Sequence, residues 1–169
     1  MDSGITVQLK HPRWKSLLRP YCKTVRAACE AALPQLAVGS WQLAEITVVL
    51  ANDDLIRDLN KTYRGKNKPT NVLAFPGIVQ KDPNLPTANC QLPTGGTSRH
   101  LGDLVLALET IEREAKEQGK TFKDHAKHLL VHGTLHLLGY DHMKKREAQE
   151  MEALEIKILK KLGVANPYV

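Results

Sequence analysis

Ile5, Val7 and Leu9 alternate with polar neighbours, and this period of two predicts a half-buried strand over 4–10. From Trp14 the period lengthens. Apolar positions 14, 17, 18, 21, 25, 28, 29 and 32 fall on one helical face. Pro12 fits the first turn of that helix, Pro20 should kink or divide it for want of an amide hydrogen, and Pro34 ends it. The β-branched run EITVVLA predicts a second strand over 45–51. Asn52 then reads as an N-cap, with Asp53 and Asp54 at the positive end of a helix reaching about Tyr63.

A third strand is expected over 71–75, held between Pro69 and Pro76. The stretch 76–100 carries four prolines and three glycines and predicts a long irregular loop, the most mobile part of the chain. GDLVLAL, 102–108, is a fourth strand, followed by a charged helix that Gly119 terminates. Thr121 with Asp124 signals the start of another helix, which ends at Gly139. The last helix, about 144–162, has apolar positions 151, 154, 158, 159 and 162 and stops at Gly163. The order β-α-β-α-β-β-α-α-α predicts an α+β fold, or a three-layer α/β variant of it. A small mixed four-stranded sheet would pack with about five helices in a single domain over 1–169.

Composition narrows the function classes. The chain has 169 residues, 42% hydrophobic and 25% charged, which suits a globular domain with a real core. No apolar run reaches the length of a membrane span, and the first residues lack a secretory or transit pattern. Cys22, Cys29 and Cys90 are odd in number, and the first two lie about 10 Å apart along one expected helix, so a disulfide framework is not indicated. A reducing cytoplasm is the expected compartment. The net charge of +6 fits a polyanionic partner and ordinary solubilising lysine equally well.

The chemistry is concentrated in HGTLHLLGYDH, His132 to His142. On a helical wheel His125, His128, His132 and His136 fall within about 80° of one another. Lys123, Lys127 and Thr134 form the only polar strip, on the opposite side. The lysines are expected to face water, which turns the imidazoles inward or toward a cleft. His132 and His136, one turn apart, can direct two nitrogens at one ion. Gly139 permits the chain reversal that brings His142 back as a third ligand. Three neutral nitrogens suit zinc, with the fourth position left for water, although nickel or another divalent ion suits imidazole too. His125 lies two turns before His132 and His128 is at most a neighbour, so neither is expected to be a ligand.

The spacing H-x-x-x-H-x-x-G-x-x-H also occurs in metzincin proteases, which place a glutamate base directly after the first histidine. Gly133 stands there instead and can accept no proton. Asp141 could substitute, or only orient a ligand histidine. A second informative stretch, LNKTYRGKNKPTNVLAFP, gathers Lys61, Arg64, Lys66 and Lys68 beside Gly65. Arginine matches a phosphate with its two-pronged guanidinium, and a charged phosphodiester transition state needs such a cation.

HGTLHLLGYDH, YRGKNKPTNVLAFP, LGDLVLA and EAQEMEALEIKIL, in this order, resemble the bacterial YbeY family, over about 48–168. The resemblance implies a zinc-dependent endoribonuclease of single-stranded RNA, acting in 3′-end maturation of 16S ribosomal RNA and in ribosome quality control. It implies His132, His136 and His142 as ligands of one zinc ion and Arg64 as the catalytic or substrate-positioning arginine. Lys61, Lys66 and Lys68 would hold RNA phosphates. Partners so implied are ribosomal RNA and the small ribosomal subunit, with room for a ribosomal protein or an assembly GTPase, and no membrane. Two departures stand out: Ala74 replaces a serine that many relatives carry, and the loop 77–100 is longer than usual. With the aromatic residues mostly at core-like positions, no stacking platform is expected, and RNA would be held through its phosphates. A zinc protease-like hydrolase and a non-catalytic ribosome-assembly factor with a structural metal stay open as alternatives.

Overall fold

In the computed structural model, residues 4–35, 44–77 and 99–169 are described. Strands β1 (Gly4–Leu9), β2 (Ala44–Ala51), β3 (Val72–Pro76) and β4 (Arg99–Ala107) form one sheet in the spatial order β1-β2-β4-β3. The first three neighbours in that order run parallel, and β3 lies antiparallel on the edge. The helices are α1 (Trp14–Leu17), α2 (Tyr21–Ala32), α3 (Asp53–Arg64), α4 (Leu108–Glu117), α5 (Phe122–Leu137) and α6 (Lys145–Lys161), with one 3₁₀ turn at Leu33–Gln35. The mixed four-stranded α+β architecture is the expected one. There are six helices rather than five because Pro20 divides the first into two.

Local chemistry sets the helix ends. Asn52 Oδ1 accepts the Leu55 amide at 3.0 Å, and Thr121 Oγ1 accepts that of Asp124 at 3.0 Å. β4 differs from its expected span. It starts at Arg99 and gives way directly to α4 at Leu108, because its pairing with β2 runs from Arg99 to Ala107, while β3 pairs only with Gly102–Leu106. A bulge shifts its register at Gly102, where φ is +142°. A side chain there would lie 2.2 Å from the Phe75 carbonyl oxygen and 2.8 Å from Leu137, so glycine lets β3, β4 and α5 meet closely. Most of the expected mobile loop, with Cys90, lies outside the described residues; Cys22 and Cys29 are both free thiols in α2.

Helices cover both faces of the sheet. Ile56 and Leu59 of α3 pack with Leu73, Val105 and Ala107 on one face. On the other, Leu104 and Leu106 meet α2, α5 and α6. α5 is the central helix of that layer, and its polar strip is not a solvent face as expected. Thr134 is fully buried and donates to the Leu130 carbonyl at 2.7 Å. Lys123 Nζ donates to Arg19 O at 3.0 Å and Lys127 Nζ to Leu162 O at 3.2 Å, so the lysines cap neighbouring segments.

Gly133 sits where α5 crosses the sheet. A Cβ there would come 2.8 Å from Leu104 Cδ2 and 3.4 Å from Val72 Cγ2. Gly133→Ala is expected to lower stability, because overpacking costs about 1–3 kcal/mol and outweighs roughly 1 kcal/mol of helix propensity. A urea midpoint equal to or above that of the parent protein would contradict this packing.

Candidate metal centre

α5 carries His132 and His136 one turn apart, and the chain reverses immediately after the helix. Gly139 adopts φ +93°, its amide bonds to His136 O at 3.0 Å, and the Tyr140 amide bonds to Leu135 O at 3.1 Å. Asp141 Oδ1 accepts the His142 amide at 2.7 Å, which fixes the start of the returning segment. His142 thereby comes back over the end of α5. Its ring centroid is 5.7 Å from that of His132 and 5.0 Å from that of His136.

One nitrogen from each of the three rings lies within 4.8 Å of the other two. His132 Nε2 and His136 Nε2 are 3.1 Å apart. Two nitrogens bound to one tetrahedral zinc at 2.0–2.1 Å would stand about 3.3 Å apart, so this spacing fits a shared ion. The His136 pKa falls to about 4, because burial disfavours its cation and the His132 and His142 rings add to that. A neutral imidazole is the form that binds metal. Among the described residues no fourth histidine, cysteine or carboxylate joins the three, which speaks against a structural zinc with four protein ligands.

Behind the trio lies a group that sequence reading missed. Glu155 of α6 is fully buried, and its Oε1 accepts from His132 Nδ1 at 2.5 Å. Burial alone would raise its pKa, but His128, His132 and Tyr168 gathered on it hold the carboxyl down to about 2. An ionised Glu155 makes Nδ1 the protonated nitrogen of His132 and frees Nε2 as a lone pair toward the cleft. The available signal was a glutamate on the apolar face of α6, four residues after Met151 and three before Ile158. The other two histidines of the stripe serve different neighbours. His125 is buried and pairs with Glu114 at 2.8 Å, and Glu114 also takes Asn71 Nδ2 at 3.0 Å. His128 faces Glu155 and Tyr168.

The trio opens on a cleft of about 760 Å³. Its lining comes from the three histidines with Gly133, Tyr140 and Asp141, from Asn71, Val72, Ala74, Pro76 and Gly77 of the β3 region, and from Arg64 at the end of α3. The structure therefore brings Arg64 and the histidines to one cavity. Lys61, Lys66 and Lys68 are exposed but are not on its lining. A serine in place of Ala74 would present its hydroxyl on this lining. Asp141, besides holding the His142 amide, lies 3.7 Å from His142 Nδ1, near the ring but beyond a hydrogen bond. Tyr63 is an exception to the mostly core-like aromatic positions: it is 67% exposed and rests edge-on against Phe75 at 5.2 Å. Among the described residues no helix is long and apolar enough to cross a membrane.

A family model described as Endoribonuclease YbeY matches residues 8–163. Three curated relatives carry the same name. The one from Parvibaculum lavamentivorans is 53% identical over 86% of this chain and 76% of its own length. That from Magnetococcus marinus is 49% identical over 83% and 95%, and that from Paramagnetospirillum magneticum 43% over 97% and 94%. The solution structure of a Thermotoga maritima protein superimposes with a TM-score of 0.52 over 94% of this chain and 91% of its own, at 21% identity, a likeness of fold.

Proposed function

The chain belongs to the YbeY endoribonuclease family, and on that premise we propose that it cuts single-stranded RNA with one zinc ion held by His132, His136 and His142. The observation that carries this reading is the convergence of three imidazole nitrogens in a cleft that Arg64 also lines. When bound, the ion would supply Lewis acidity at the scissile phosphodiester and make a water or the ribose 2′-hydroxyl easier to deprotonate.

The protein's own groups do the rest. Arg64 offers a fixed positive fork to the phosphate, and its benefit grows as negative charge develops on the non-bridging oxygens. Glu155 sets the orientation of the His132 ring, and Asp141 holds the backbone amide of His142 at the start of the returning segment. Gly133 packs against Leu104 where a metzincin would carry its glutamate, so a protease has no base at that position. Lys61, Lys66 and Lys68, outside the cleft, would hold the approaching strand by its phosphates. In this reading the substrate is 16S ribosomal RNA on the small ribosomal subunit, the role 3′-end maturation and ribosome quality control, and the compartment the cytoplasm. A ribosomal protein or assembly GTPase would bring the enzyme to its site.

The test is cleavage of a single-stranded ribosomal RNA fragment against the same sequence in a duplex, with zinc-loaded protein. Cutting confined to the single strand supports the proposal; no cutting of either, with peptide hydrolysis in its place, overturns it. Binding should weaken linearly with log salt. Replacing Lys61, Lys66 or Lys68 by alanine should reduce the slope by about 0.7 for each phosphate that the lysine neutralises. A slope unchanged in all three variants would remove them from the interface.

A further inference from the structure

The buried carboxylate behind the metal centre is held from two sides. Its Oε1 takes His132 Nδ1 at 2.5 Å, and its Oε2 takes the hydroxyl of Tyr168. Tyr168 lies in the segment that follows α6 and contributes nothing to the lining of the cleft. Two more interactions seat that segment. Lys120 Nζ donates to the Pro167 carbonyl at 2.8 Å, and the Tyr168 ring meets the His128 ring edge-on with centroids 5.6 Å apart.

A buried carboxylate must have its oxygens answered, and one bound at a single oxygen can still turn about its last bond. The Tyr168 hydroxyl answers the second oxygen and stops that rotation. We infer that Tyr168 is a positioning residue for the metal centre: acting through Glu155, it holds His132 with Nδ1 protonated and Nε2 turned to the cleft. The inference rests on reading His132, His136 and His142 as the ligand set. A different use of the same atoms, a cation bound among His128, His132 and Glu155, fits less well. Both Glu155 oxygens already accept hydrogen bonds, and His132 Nδ1 is occupied as a donor.

Outer partners of ligand histidines are worth roughly 10–100-fold in metal affinity. Two measurements on the full chain separate positioning from a merely structural clasp. The first is the zinc dissociation constant, by competition with a chromophoric chelator, for the parent protein, Tyr168→Phe and Glu155→Gln. The second is the long-range nitrogen–proton spectrum of the histidine rings in metal-free protein, which reports each tautomer. Tyr168→Phe is expected to fold with a somewhat lower urea midpoint, because Glu155 Oε2 loses its donor, to bind zinc about 10-fold more weakly, and to show a mixed tautomer at His132. Glu155→Gln should weaken binding further. Unchanged zinc affinity with a single, parent-like His132 tautomer in Tyr168→Phe would overturn the inference. Parent protein that takes up no zinc would instead overturn the ligand reading, and the metal-free spectrum still decides whether Tyr168 orients His132.

Discussion

His136→Ala is expected to lose both its ion and its cleavage activity, by more than the roughly 10–100-fold that an outer partner of a ligand is worth. The reason is geometric. His136 Nε2 stands 3.1 Å from His132 Nε2, and its ring packs 4.6 Å and 5.0 Å from the rings of His132 and His142. Removing it leaves two nitrogens where three converge, and the pair His132 and His142 has the longest ring separation of the three, 5.7 Å. The fold should survive, because His136 lines the cleft rather than the core and Leu135, Leu137 and Leu138 around it are buried. The check is metal content by elemental analysis alongside turnover of a single-stranded RNA and a urea unfolding curve. Full zinc content with parental turnover would show that the ion sits elsewhere.

Arg64→Ala should behave differently, keeping its zinc while its kcat falls by about 10²–10³-fold, the range seen when one preorganised donor to a charged transition state is removed. Arg64 ends α3, is exposed, and lines the same cleft as the histidines, outside the set of three ring nitrogens that converge. A fall mainly in kcat would place its interaction in the transition state, whereas a rise in KM alone would make it a general phosphate anchor. Arg64→Lys keeps the charge but not the fork, and should recover only part of the rate. Zinc content that falls with either variant would contradict the division of labour between Arg64 and the histidines.

Much of this arrangement is legible in the sequence alone. β1 announces itself by alternation, Asn52 and Thr121 by their capping chemistry, and the end of α5 by Gly139, because each is decided by interactions within a few residues. The metal trio is legible for the same reason: a helical turn and a glycine reversal bring its three members together with little help from the rest of the fold. Arg64 needs more, since its place in the same cleft as the histidines depends on β3 lying at the sheet edge beside α5.

The hidden parts are those that tertiary packing decides. Glu155 is 23 residues from His132 and Tyr168 lies on another segment again, so no local pattern joins them; a glutamate on the apolar stripe of α6 is the one hint. In the sequence His125 looks like a spare member of the histidine stripe, and its use becomes clear only when α4 brings Glu114 to it. Thr134 belongs to a polar strip by pattern, yet α2 covers that side of α5.

The most direct measurement is zinc bound per chain and RNA cleavage by one preparation, before chelation, after it, and after zinc is returned. A zinc-dependent nuclease centred on the three histidines should hold one ion per chain, fall silent when the ion is removed, and recover on reloading. Undiminished cutting by metal-free protein would contradict it.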